Sequence, residues 1–250
     1  MRKYFIIAVA LMAMASCSTS KKSAFVVDEY GYATFEHQGF SFKIKEDVLE
    51  TEEAQAAIAK MKADLDNIVS FCPEEKLEVM RPNPIWMEEN NPKNRSAAWY
   101  HWDAEWPGNN GDLAAKGDCL EITNYNMYVE SSNRNQPLMV FHELCHLYHD
   151  QGMSEENRKL IADAYAHARE NEMYKGTAYR SRTDLPEEEW DYERAKNGAY
   201  CMNNDREFFT ELSEAYWGDN DFYPFNYQQL KDYDPVAFAA IEKIWGPRQF

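Results

Sequence analysis

The sequence predicts an α+β domain, and three observations lead there. Short stretches of alternating hydrophobicity lie in the first half of the chain, and amphipathic helices fill the second. One of those helices carries His142-Glu143-Leu144-Cys145-His146 beside an apolar stripe.

The first residues read as a targeting segment rather than as part of the fold. Arg2 and Lys3 precede a short apolar run, Tyr4 to Met14, too brief to span a bilayer as a stable anchor. Within residues 25–45, Phe40-Ser41-Phe42-Lys43-Ile44 alternates and reads as strand and turn. Thr51 offers an N-cap to a helix running to about Phe71, with Ile58, Met61, Leu65, Ile68 and Val69 on one face. Pro84 to Glu88 reads as a short strand, Trp99 to Asp112 as a long surface loop, and Cys119 to Asn124 as another strand. The aromatics Trp99, Tyr100, Trp102 and Trp106 are expected to pack within that loop rather than line a groove.

Helices are then predicted over about Pro137 to Asp150 and Ser154 to Glu172, the second with Ile161, Ala164, Tyr165 and Ala168 inward. Lys175 to Gly198 is polar and loop-like. Asn204 or Asp205 caps a helix reaching Trp217, and Asp234-Pro235 opens a last helix that Gly246 closes. No internal repeat or low-complexity linker divides the chain, so residues 25–250 are read as one domain, expected to be a monomer.

The formal charge is −17. Loss of Arg2 and Lys3 with a leader would make it −19, 24 basic against 43 acidic side chains. A surface that acidic argues against nucleic acid and against docking on anionic lipid heads. Beyond Cys17, the cysteines Cys72, Cys119, Cys145 and Cys201 permit two disulfides, and their spacing contains no CxxC for a cysteine-held zinc.

The chemistry is concentrated at the HExxH helix. Residues four apart share a helical face, so His142 and His146 can converge on one ion. Glu143 lies one step round, where its carboxylate can hold a water as general base without ligating the metal. Phe141, Leu144, Cys145 and Tyr148 form a separate stripe that gives the helix a reason to be buried. The pattern alone would arise by chance in roughly 1 to 2 chains per 100 of this composition, so a third ligand matters. Zinc keeps three protein ligands and one open position in catalytic sites. His149 lies on the same helix, which cannot easily wrap three ligands round one ion. It reads as a partner behind the ligands or as exposed. In Asn204-Asp205-Arg206-Glu207-Phe208-Phe209-Thr210-Glu211-Leu212, the carboxylates Glu207, Glu211 and Glu214 share a face beside the stripe Phe208, Leu212 and Ala215. Carboxylates bordering a buried stripe need partners, which a metal and its histidines would supply.

HELCHLYHD followed by YCMNNDREFFTELSEAYWG resembles the gluzincin peptidases related to the anthrax lethal factor catalytic domain. It is still more similar to secreted or envelope zincin-like proteins with HELAHAYH and a later YFAEL-type helix. The resemblance covers about Cys119 to Trp217. It implies a zincin-like domain with a mixed sheet, an edge strand over the cleft, and one catalytic Zn2+ on His142, His146 and Glu207. Glu143 is then the general base, Glu211 hydrogen-bonds a ligating histidine, and Tyr200 faces the substrate oxyanion. Leu120, Glu121, Ile122 and Thr123 match the edge strand that pairs with an extended peptide or protein substrate.

Separately, Met14-Ala15-Ser16-Cys17 resembles the lipobox of bacterial lipoproteins. That implies a signal peptide over residues 1–16, a lipid on Cys17, a polar tether over residues 17–24, and a place in the bacterial cell envelope, held to the membrane by the lipid. The expected activity is zinc-dependent peptide-bond hydrolysis. The rivals are a zinc-containing lipoprotein that binds peptides with little turnover, and an amidase acting on cell-wall peptides.

Overall fold

The structure is a computed structural model that describes residues 25–248, so the expected signal peptide, Cys17 and the expected tether lie outside the described residues. A hairpin opens it: β1 (Tyr32–His37) pairs antiparallel with β2 (Phe40–Lys45). The turn residues Gln38 and Gly39 both have positive φ, 53° and 81°, as a two-residue hairpin requires. Alternation puts Phe40, Phe42 and Ile44 fully under cover on one face. Thr51 caps α1 (Glu52–Phe71), its hydroxyl accepting from the Ala54 amide at 3.2 Å. Helix α2 (Glu74–Met80), strands β3 (Ile85–Met87) and β4 (Ala98–Tyr100), the one-turn α3 (Trp106–Asn109), strand β5 (Leu120–Ile122) and α4 (Tyr125–Arg134) complete the first half.

The strands form one mixed sheet in the order β1-β2-β3-β5-β4, with β2, β3 and β5 parallel and the two outer strands antiparallel to their neighbours. This corrects the reading of Leu120–Thr123 as an edge. Strand β5 is hydrogen-bonded on both sides, and the edge is β4, inside the stretch expected to be loop. Alternation shows that Leu120 to Ile122 is extended. Whether it is an edge depends on pairing with residues some twenty positions away.

The second half is helical: α5 (Met139–Gln151), α6 (Glu155–Glu170), α7 (Asp205–Trp217), α8 (Tyr227–Tyr233) and α9 (Pro235–Trp245). The molecule is therefore α+β, as the sequence predicts. Helix α5 joins the halves, touching α1, α2, β4 and β5 on one side and α7 on the other. Its predicted stripe is what packs: Phe141, Leu144, Cys145 and Tyr148 are buried, with Phe141 edge-on to Phe71 at 5.1 Å and 5.5 Å from Trp245. Burying each large side chain of this kind contributes about 1.5 to 3 kcal/mol, which fixes the rotation of α5 and hence the direction of its histidines. Cys72, Cys119, Cys145 and Cys201 are all buried free thiols, so the disulfides the sequence permits do not form.

Candidate metal centre and cleft

His142 and His146 stand on one face of α5, their ring centroids 4.9 Å apart, each side chain only slightly exposed. Across from them, Asn204 caps α7, its side-chain oxygen accepting from the Arg206 and Glu207 amides at 3.0 and 2.9 Å. The cap aims the third helical residue, Glu207, at the histidines instead of back at the cap. Glu207 Oε2 lies 3.2 Å from His142 Nε2 and 3.3 Å from His146 Nε2. A tetrahedral ion with ligand bonds of about 2.0 to 2.1 Å has ligand atoms roughly 3.3 Å apart. Glu207 Oε2 already stands at that separation from both imidazole nitrogens, the three donors lie within 4.8 Å of one another, and two imidazoles with one carboxylate suit zinc. Burial works against a charge on Glu207, but hydrogen bonds from both histidines outweigh it and hold its carboxyl far below the usual range.

Glu143 faces the same cleft. Burial, then the Glu207 charge, raise its pKa above the ordinary carboxylate value, while the two histidines and the Tyr100 backbone amide pull it back. That amide belongs to the edge strand. The Thr123 amide donates to Ala97 and the His101 amide to Cys119, so residues 97, 99 and 101 turn towards β5. The backbone of Ala98 and Tyr100 therefore points away from the sheet, towards α5. The Tyr100 hydroxyl also donates to Asp150 at 2.9 Å, locking β4 against the far end of α5.

A cleft of about 530 Å³ runs between β4, α5 and the start of α7, lined by Trp99, Tyr100, Trp102, Tyr200 and the His142, Glu143, His146 and Glu207 group. Trp99 and Trp102, 43 % and 56 % exposed, are thus walls of the cleft rather than packing within their loop, which corrects the expectation. Trp106 does pack locally, stacking on His101 at 5.7 Å. The structure brings Tyr200 to the site: its hydroxyl lies 3.5 Å from Glu207 Oε1, and the ring is 46 % exposed to the cleft.

Three expected positions move. His142 Nδ1 donates to Glu214 at 2.6 Å, whereas Glu211 is 3.7 Å away, so Glu214 is the closer carboxylate partner of His142. His149 is neither exposed nor a partner of His142 or His146. It is buried against Phe209 with Nε2 lacking any hydrogen bond, and burial pushes its pKa down to about 4, which keeps it neutral. Glu121 does not meet a substrate. It is fully buried and bonded to His101, Lys116 and Asn91 at 2.7, 2.6 and 2.8 Å.

Sequence reasoning missed two residues. Thr210 Oγ1 lies 3.2 Å from His142 Nε2 and 3.1 Å from the Glu207 carbonyl, so its proton has an acceptor when the ring nitrogen is on a metal. Asp221, in the loop after α7, is buried beside Glu211 and Glu214, and no local pattern marks it. Burial, then the facing carboxylates, raise Glu211 well above the normal range and Asp221 to about 7. No family model, curated protein or solved structure matches this chain.

Proposed function

We propose that the chain is a zinc-dependent peptidase of the zincin-like, gluzincin type, held in the bacterial cell envelope by a lipid on Cys17. The observation that carries the reading is the spacing of His142 Nε2, His146 Nε2 and Glu207 Oε2, together with a further carboxylate, Glu143, between that trio and the outer strand β4. A bound zinc supplies Lewis acidity, lowering the pKa of a coordinated water from about 15.7 to roughly 7 and polarising the scissile carbonyl.

The chain's own groups do the rest. The outward-facing Ala98 amide on the edge of β4 donates to an extended substrate and holds the substrate's carbonyl across the trio, while Trp99 and Trp102 cover the flanking residues. Glu143 orients the attacking water, takes its proton and returns it to the leaving amine. A carboxyl raised by burial holds a proton between those steps better than an exposed one. The Tyr200 hydroxyl donates to the substrate oxygen as negative charge develops there. Glu214 fixes the His142 tautomer so that Nε2 is free for the ion.

The test is a peptide-library digest with metal analysis, on wild type and Glu143→Gln. The expected result is one zinc per chain in both, and turnover in the wild type at least about 10³-fold above the variant. Zinc without turnover in the wild type would favour a peptide-binding lipoprotein. Fragments released from purified cell wall but not from proteins would favour the amidase. No helix among the described residues is long and apolar enough to cross a membrane.

A further inference from the structure

Behind His142 lies a second cavity of about 270 Å³ that shares Ala98, His142, Glu143 and Tyr200 with the main cleft. Its polar wall is acidic: Glu211, Glu214 and Asp221 all line it, each nine-tenths or more buried. These carboxylates are not equally occupied. Glu214 accepts from His142, and Asp221 accepts from the Asn135 side-chain amide at 3.2 Å. Glu211 is 4 % exposed, and its Oε2 accepts no hydrogen bond. A buried carboxyl oxygen left without a donor costs free energy, so a donor brought by a ligand would stabilise it. Arg194 also lines the cavity, but its guanidinium sits 4.0 Å over the Tyr179 ring, one cation set against the four carboxylates Glu143, Glu211, Glu214 and Asp221.

We infer that this cavity is a subsite for an ammonium group of the substrate, seated against Glu211, Glu214 and Asp221 next to the bond to be cut. The inference deepens the peptidase reading of the adjoining site and rests on it. An ammonium carries three N–H donors and no acceptor, which suits a wall of acceptors. A second metal suits it less. His142 Nδ1, the nitrogen of the candidate group it forms with Glu211 and Glu214, already gives its proton to Glu214, and would have to lose it while Nε2 holds the first ion. Met139 and Phe222 form the apolar part of the wall, where an aliphatic stem can lie while its charged end reaches the carboxylates. The ammonium belongs either to a lysine side chain or to the free amino end of a peptide, and the two are separable by experiment.

The experiment is calorimetric binding to the zinc-loaded mature chain carrying Glu143→Gln, which should bind without cutting. Three probes are compared: Ac-Ala-Lys-Ala-NH2 with only a side-chain ammonium, H-Nle-Ala-Ala-NH2 with only an α-ammonium, and Ac-Ala-Nle-Ala-NH2 with neither. One of the first two should bind about tenfold or more tighter than the third, the effect of one charge-assisted hydrogen bond, and which one does so identifies the source. Adding Asp221→Asn should shrink that advantage to about threefold or less, with the neutral probe unaffected. Equal affinities for all three probes, or two metal ions per chain in place of one, would overturn the inference. Turnover of the same probes by the wild type is read separately. A charged probe that binds selectively but is never cut sinks the peptidase reading and leaves the ammonium subsite standing.

Discussion

Two buried clusters of charge in this molecule are built on opposite principles. Beneath the sheet, Lys116 is buried among Glu88, Asp112 and Glu121, at 2.6, 3.1 and 2.6 Å, with Asn91 and His101 adding further bonds. Burial opposes charge there, yet the partners win. Glu121 and Asp112 are held below the usual carboxylate range, and Lys116 is raised above its own. Behind the candidate metal centre, burial and mutual repulsion win instead, raising Glu211 and Asp221. In the first cluster the lysine and its three carboxylates all find partners, although His101 Nδ1 has none, and the cluster serves the fold. The second is left acidic and partly unpartnered, the condition expected of groups kept for a ligand.

The two clusters should respond oppositely to damage. Lys116→Met strands three carboxylates in the interior and should destabilise the domain by about 3 to 5 kcal/mol, read by urea unfolding. A change below about 1 kcal/mol would erase the distinction between the clusters. At the other site Tyr200→Phe should leave folding and zinc intact while turnover falls about 10²- to 10³-fold, as for loss of one oxyanion donor. Unchanged turnover would reduce Tyr200 to a wall of the cleft.

The smallest effect is the most diagnostic of the contrast. Glu121 binds fewer protons folded than unfolded, so its stabilisation is present above its unfolded pKa and fades as acid protonates it. Glu211 binds more protons folded than unfolded, so the metal-free protein loses stability through it as pH rises above the ordinary glutamate value. Glu211→Gln should therefore stabilise the metal-free chain at pH 7.5 by about 1 kcal/mol and by less at pH 5. Destabilisation at both pH values would place Glu211 with the structural carboxylates.

Much of this was legible in the sequence because it is local. The HExxH spacing and the Phe141-Leu144-Cys145-Tyr148 stripe are properties of one helix, and the Asn204 cap with Glu207 three residues on is a property of one turn. What was not legible depends on distant pairing. Leu120–Ile122 reads as a strand but gives no sign of which neighbours flank it, and Ala98–Tyr100 is too short to stand out from its loop. Glu211 and Glu214 are three residues apart on one face, and a small rotation of α7 against α5 decides which meets His142. Asp221 lies past the helix end, so only the fold brings it there.

The central claim, that Glu207 completes a zinc site with His142 and His146, is tested most directly by one competitive zinc titration of wild type, Glu214→Gln and Glu207→Gln against a chelator. One ion per chain is expected in the wild type, with affinity weakened about 10- to 100-fold in Glu214→Gln, which loses only the carboxylate behind a ligating histidine. Glu207→Gln should weaken binding further still, because two protein ligands remain where three are needed. Wild-type affinity in Glu207→Gln, or a larger loss in Glu214→Gln, would contradict the account.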